Sequence, residues 1–410
     1  MTSYQELGPG LSGAGTHRAT LLEILVRAMQ AAGATIHWGT PLEKLTRDST
    51  GRPLLQDAHG HRHGPYDLLL ICDGASSSLR AQSGVPARVS RYPWGALWFI
   101  GLRTPEFDPH VLWQSVSGTR QLNGYLPTGT RDDLLSLFWS LRLDAIPEWR
   151  TQPLEKWKRQ VLFLAPQAEA FLQQIESHDQ MAAAAYSDVV MRQWHGERVV
   201  MLGDAAHALS PQLGQGVNLA LMDAAALGDA LTEHPLPAAL AQYSATRRRH
   251  LRFYQFATRW TTPFFQSGLL PLGWLRDLAF PILHTLPYMR RQMTATMAGG
   301  KLGPFAQMQL QPSPARLPSS TLTRSGEDQS APRVRFHCMS TNAQHPSDSP
   351  VFDVPAQPIE VLTLGESLEA EFPDIPGEEI RQAIETAQKE TSFANDLITL
   401  KSRVREIIRR

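Results

Sequence analysis

The sequence of 410 residues is long enough for two or three domains, and its 42% hydrophobic content is that of a chain with an ordinary buried core. Lysine plus arginine and aspartate plus glutamate number 39 each, which removes the electrostatic argument for nucleic acid or a polyanionic partner. Cys72 and Cys338 are too far apart for a disulfide framework or a metal-ligand spacing, so a reducing cytoplasm and no bound metal are expected.

The first ten residues lack the basic start and apolar run of a signal peptide. Gly8, Gly10 and Gly13 satisfy G-x-G-x-x-G, but no strand precedes them and Pro9 interrupts them, so a loop is expected rather than a dinucleotide turn. Residues 16–32 have helical spacing, with Leu21, Leu25, Ala28 and Ala32 on one face, Thr16 or Thr20 as N-cap and Gly33 as the stop. A strand follows at 35–38. Turn residues at 48–51 and 57–60 divide the next segment into a small β-meander.

Residues 68–72 form an apolar run expected of a buried parallel strand, with Cys72 a small buried residue, and Asp73-Gly74 make the turn at its carboxyl end, where α/β sheets bind ligands. From Trp94 to about Asp188 the pattern changes to aromatic-rich strands, followed by helical spacing over 154–175 that Pro166 interrupts. Trp98, Tyr125 and Trp139 qualify there either as pocket residues or as core.

The densest chemistry lies at 198–224, RVVMLGDAAHALSPQLGQGVNLALMDA. An apolar strand at 199–202 leads through Gly203 to Asp204, whose small neighbours let a ligand hydroxyl approach the carboxylate. Gly214 and Gly216 let the loop backbone approach a flat group, and the helix beginning near Gly216 or Val217 turns its unsatisfied N–H groups toward the same point. His207 qualifies as a packed, satisfied histidine or as a proton carrier. Helical segments follow at 236–257 and, broken by prolines, up to Gly300. The apolar stretch 261–289 is interrupted by four prolines, Arg276 and Asp277, which excludes one spanning helix and leaves peripheral membrane contact or packing on the protein.

The run GDAAHALSPQLGQGVNLALMDA resembles the second FAD-binding motif of the aromatic-ring hydroxylases, the single-component flavin monooxygenases related to para-hydroxybenzoate hydroxylase and the ubiquinone-pathway hydroxylases. The resemblance implies that Asp204 holds the ribityl chain with Gly203 beside it in the cofactor-binding turn, that Pro211 lies beside the isoalloxazine, and that Gly214, Gln215, Gly216, Val217 and Asn218 line its pyrimidine edge. Two further matches stand in family order. Arg18, in HRATLLEIL, matches the arginine that reaches toward the flavin, and Asp73, Gly74, Ser77 and Arg80 match the D-G-x-x-S-x-x-R motif that serves FAD and the nicotinamide cofactor.

By this resemblance the fold is α/β (α+β): a parallel FAD-binding sheet with a β-meander, an inserted mixed sheet for substrate and a separate C-terminal helical module. The expected divisions are 1–90 and 188–303 for the FAD-binding part, 91–187 for the substrate sheet, 304–360 for a disordered Pro/Ser/Thr-rich linker and 361–410 for a helical tail that would mediate homo-oligomerisation. The implied activity is hydroxylation of a small aromatic substrate with FAD, NADH or NADPH and O2; the cofactor carries that chemistry, so no catalytic base is assigned.

The family opens with a strand, a Gly-rich turn and a helix for the ADP half of FAD, and this sequence begins after them. The expected parallel sheet is therefore incomplete, with apolar strand faces open. Three origins fit: an upstream start, a second polypeptide supplying the unit, or a non-catalytic relative acting through its tail. A flavin-dependent reductase of isoprenoid-type double bonds shares the Gly-Asp motif and is the alternative enzyme.

Overall fold

The computed structural model describes residues 3–128, 134–308, 337–339 and 382. In chain order the elements are α1 (Arg18–Ala31), β1 (Thr35–His37), β2 (Leu42–Arg47), β3 (Pro53–Asp57), β4 (Arg62–His63), β5 (Leu69–Ile71), β6 (Ala87–Leu102), β7 (Trp113–Ser117), β8 (Gln121–Pro127) and β9 (Leu134–Arg142). There follow α2 (Ile146–Thr151), α3 (Leu154–Leu164), α4 (Glu169–Leu172), β10 (Ala182–Met191), β11 (His195–Gly196), β12 (Val199–Met201), α5 (Asp204–His207), α6 (Gly216–Glu233), α7 (Leu236–Phe265), α8 (Leu270–Thr285), α9 (Pro287–Met297) and β13 (His337–Met339).

Two hydrophobic cores organise the chain. In the first, β12 lies parallel to β5 with Val199 opposite Leu69, and this buried pair packs against Leu219 and Leu227 of α6 and Tyr243 and Leu251 of α7. The continuous burial expected of a strand covered on both faces fails at β5, whose residues alternate between buried and exposed. Leu70 is 37% exposed and Cys72 is exposed as well, so the expectation of a buried Cys72 is corrected: positions 70 and 72 share one face of the pleat, and that face is uncovered.

The same holds for α1. Leu22, Ile24 and Leu25 are exposed and only Thr20 is buried, so its predicted apolar stripe does not enter a core of the described residues. Its N-cap is His17, whose Nδ1 accepts from the Ala19 N–H at 3.2 Å, in place of Thr16 or Thr20. Gly33, at φ +79°, ends the helix as expected.

The second core fills one face of the sheet β10-β6-β9-β8-β7, where Leu97, Tyr125, Leu135, Leu137 and Trp139 meet Trp157 and Val161 of α3 and Phe171. Every pairing in this sheet is antiparallel, which corrects the mixed sheet expected from the sequence. The meander β2-β3-β4 forms a third sheet. Gly8, Gly10 and Gly13 lie in a loop: the Tyr4 ring stands where a Cβ on Gly13 would fall, and the Tyr4 hydroxyl donates to Met297 O.

α7 runs through Pro263 to Phe265, eight residues beyond the expected end. Pro271 and Pro287 stand in the first turns of α8 and α9, where a missing N–H is no loss. Among the described residues no helix is long and apolar enough to cross a membrane. Within the segment expected as linker, β13 pairs parallel with β1, Ile36 opposite Cys338. The helical tail expected at 361–410 lies outside the described residues apart from 382, as does most of the linker.

Candidate flavin site

The two predicted motifs meet at the carboxyl ends of β5 and β12. Leu202 N–H donates to Ile71 O at 3.1 Å, which places the turns after both strands side by side. Gly203 takes φ +57° and ψ −140°, a conformation that strains any residue with a Cβ, and a Cβ there would stand 3.2 Å from that of Ala220. This lets β12 turn directly into α5 beneath α6. Asp204 is exposed while Ala205, Ala206 and His207 behind it are buried, so only the carboxylate faces outward.

Its Oδ1 lies 3.8 Å from the position of a Cβ on Gly216, the first residue of α6. The carboxylate and the positive end of an 18-residue helix therefore share one opening, as the sequence predicts. Pro211, Gly214, Gly216, Val217 and Asn218 are all exposed there, and Gly214, at φ +63°, leaves open space where a side chain would stand.

Gln215 has a different position. It is buried, and its amide donates to Met297 O at 2.6 Å and Leu213 O at 3.2 Å while its carbonyl accepts from Asn218 at 3.1 Å. It ties the loop to the C-terminal end of α9. Gln212 reaches the other way, donating to Gln266, which donates in turn to Ser140 on β9.

Arg80 joins the two motifs. Buried, it donates to Ala205 O and to Ala75 O, both at 2.9 Å, and its own N–H is capped by Ser77 Oγ. Burial lowers its pKa and the Asp73 carboxylate works against that. Gly74, at φ +84°, again leaves open space. Asp73 Oδ1 and Ser210 Oγ are buried without a hydrogen-bond partner among the described residues. Such orphaned atoms are costly unless a ligand meets them. Two unsatisfied oxygens, an outward carboxylate, two bare glycines and a helix N-terminus suit a polyol chain joined to an electron-rich ring, so the residues present fit FAD.

Behind the loop lies a network that sequence reasoning missed. Asp223, fully buried on α6, accepts from Gly203 N–H at 3.0 Å and from His207 Nε2 at 2.5 Å through Oδ2, and from Arg247 Nε at 2.7 Å through Oδ1. Arg247 also donates to Leu219 O at 3.1 Å and to His250 Nδ1 at 2.8 Å, and His250 Nε2 donates to Gly299 O at 2.8 Å. His207 is thus the packed, satisfied histidine of the two readings. Burial alone raises the Asp223 carboxyl, but the His207 hydrogen bond and the His207 and Arg247 charges hold it below the usual range. Burial and the Arg247 charge lower His250 to about 4. The available signal was one ionisable residue inside the apolar helix NLALMDAAALG.

The structure separates the three aromatic candidates. Tyr125 and Trp139 are core. Trp98 pairs with Phe138 in register, their rings 5.3 Å apart on the opposite face of the sheet, and its Nε1 donates to the Tyr186 hydroxyl at 3.3 Å. Burial raises the Tyr186 pKa against the Trp98 hydrogen bond and the Arg18 charge, and Arg18 itself is exposed. The face is linked to the flavin loop through β10, whose Val189 N–H donates to Ala208 O at 3.0 Å.

A family model described as FAD binding domain matches residues 13–255, more than half of the chain. A putative 2-heptyl-3-hydroxy-4(1H)-quinolone synthase of Rhodococcus erythropolis is 28% identical over 250 residues, 59% of this chain and 61% of that protein. The ubiquinone hydroxylase UbiL of Rhodospirillum rubrum is 26% identical over 309 residues, 68% of this chain and 65% of that protein. The chain thus spans less than two thirds of the length of these curated relatives. Klebsiella pneumoniae HpxO, solved with FAD and uric acid, shares the fold at a TM-score of 0.57 and 18% identity, over 70% of this chain and 72% of that one. Matched across both motifs and across the loop that joins Asp204 to α6, the chain belongs to the FAD binding domain family.

Proposed function

We propose that this chain is a flavin-dependent monooxygenase that uses NADH or NADPH and O2 to hydroxylate a small aromatic substrate in the cytoplasm. The observation that carries the reading is the exposed Asp204 carboxylate set against the N-terminus of α6, in a loop held on every side by buried polar contacts. When bound, FAD supplies the redox chemistry, taking hydride from the nicotinamide and reacting with oxygen.

The protein's part is to bind, orient and exclude water. Asp204 accepts from a ribityl hydroxyl, Asp73 and Ser210 offer the unsatisfied oxygens to cofactor donors, and the first N–H groups of α6 favour negative charge on the ring's pyrimidine edge. Arg80, Gln215 and Asp223 keep those groups in place before the cofactor arrives.

Trp98, Phe138 and Tyr186 give the substrate an aromatic face, where offset rings attract another ring. The Tyr186 hydroxyl accepts from Trp98 and keeps its own O–H free to donate a hydrogen bond to a substrate oxygen. The test is oxygen uptake coupled to NADH or NADPH oxidation in the FAD-loaded chain over a panel of phenols, aminobenzoates and quinolones. Stimulation of both by an aromatic compound supports the reading; nicotinamide oxidation without oxygen uptake, on an isoprenoid substrate, identifies a reductase.

A further inference from the structure

The chain as a whole is charge-neutral, yet residues 235–303 carry nine arginine and lysine residues against a single acidic one, Asp277. That segment forms α7, α8 and α9. α8 is fixed on its inner side. The Arg276 guanidinium, buried, donates to Gly118 O at 2.7 Å and Phe264 O at 2.8 Å, Gly273 packs on the Gly118–Thr119 turn of the aromatic sheet, and Phe280 rests on Phe264 and Phe265.

Its outer side is apolar. Leu270, Trp274, Leu278 and Ile282, spaced four apart and therefore aligned, are 54%, 70%, 67% and 57% exposed. Asp277, the acidic group of the helix, is held by Arg276 at 2.6 Å. An apolar stripe of this length facing water marks an interaction surface.

Beside it lies a cationic groove of about 490 Å³ between the end of β10 and α7, lined by Arg192, Arg252, Arg259, Phe256 and Trp260. Arg259 is held by Asp188 at 2.8 Å, while Arg192 and Arg252 have no acidic partner among the described residues. The Trp260 ring lies 5.2 Å from that of Phe264, on which Phe280 of α8 also rests, so an aromatic row leads from the groove to α8.

We propose that α8 and this groove form a docking surface for an anionic phospholipid bilayer: the stripe lies in the plane of the membrane at the level of the upper acyl chains, and Arg192 and Arg252 meet lipid phosphates. The charge decides between occupants. A second copy would bring Arg192 and Arg252, neither with an acidic partner among the described residues, against their own copies, whereas an anionic headgroup layer complements them. Trp274 and Tyr288, 70% and 59% exposed, have the half-polar rings that settle at the membrane interface. α8 at 16 residues lies on the bilayer and does not cross it. Through Arg276 and Gly118 the helix is rigidly tied to the sheet that carries Trp98.

The test is co-sedimentation of the full 410-residue protein with vesicles of phosphatidylcholine alone or with about one third phosphatidylglycerol. The expected result is binding to the anionic vesicles at least about tenfold tighter than to the neutral ones, weakening as salt is raised. Trp274→Glu/Leu278→Glu and Arg192→Gln/Arg252→Gln should each weaken it about tenfold or more without changing the circular dichroism spectrum. Absence of binding to anionic vesicles, or binding by either variant as tight as that of the wild type, overturns the proposal. So does a wild-type dimer that ignores vesicles and dissociates in Trp274→Glu/Leu278→Glu, because the occupant is then a second copy.

Discussion

Arg247 Nε donates to Asp223 Oδ1 at 2.7 Å across two helices, and the other oxygen of the same carboxylate accepts from Gly203, the residue before Asp204. The flavin-facing turn is therefore braced from behind by a buried ion pair. Removing one partner strands the other charge in the core. Asp223→Ala is expected to lower stability by about 3–5 kcal/mol, read as a fall in the thermal midpoint. Arg247→Met combined with Asp223→Leu should cost less than Asp223→Ala alone, since no uncompensated charge remains.

The pH dependence of stability follows from His250. Its folded pKa is depressed to about 4 by burial and by Arg247, against about 6.5 in the unfolded chain. The unfolded state therefore binds the extra proton, so this contribution is intact above pH 6.5 and is lost as pH falls from about 6.5 to about 4, with a slope approaching about 1.4 kcal/mol per pH unit. Urea midpoints measured across that window should show the decline, and His250→Gln should flatten it.

At Gly203 a side chain is expected to be harmful in proportion to backbone strain. Gly203→Ala places a Cβ at φ +57° and 3.2 Å from Ala220, costing about 1–2 kcal/mol. Gly214→Ala meets no neighbour within 4 Å at φ +63° and should cost less in stability than in flavin affinity, because the space it fills is the site itself.

Trp98 and Trp139 occupy opposite faces of one sheet and should separate accordingly. Trp139→Leu removes a buried ring that meets Trp157 edge-on, and should destabilise by about 3 kcal/mol. Trp98→Leu should leave the thermal midpoint within a few degrees and raise KM for the aromatic substrate about tenfold. Equal effects on stability would mean that both rings are core.

The turn at Gly203, the left-handed Gly214 and the helix start at Gly216 were legible because each answers a local demand, whereas Gln215, expected to line the site, is buried against Leu213 and Met297. The aromatic strands and the break at Pro166 were legible from local composition, but the all-antiparallel pairing of those strands was not. α1 was not. Its spacing gives a helix, but burial depends on what covers the face, and Leu22 and Ile24 stand exposed. Cys72 misled similarly, since an apolar run does not tell which face of a strand is packed. The Asp223 network joins residues 203, 207, 223, 247, 250 and 299, whose meeting is a property of the packed helices α6 and α7 and carries no sequence periodicity.

The most direct measurement is a titration of the purified 410-residue chain with FAD, followed by visible absorbance, for the wild type and Asp204→Ala. Asp204 is exposed, so its removal leaves the fold intact, as circular dichroism would verify. The account predicts saturable flavin binding with a perturbed spectrum in the wild type, and affinity about tenfold or more weaker in the variant, the loss of one or two charge-assisted hydrogen bonds. Equal affinity in the two proteins would contradict the assignment of Asp204, and a wild-type chain that ignores FAD would contradict the flavin site itself.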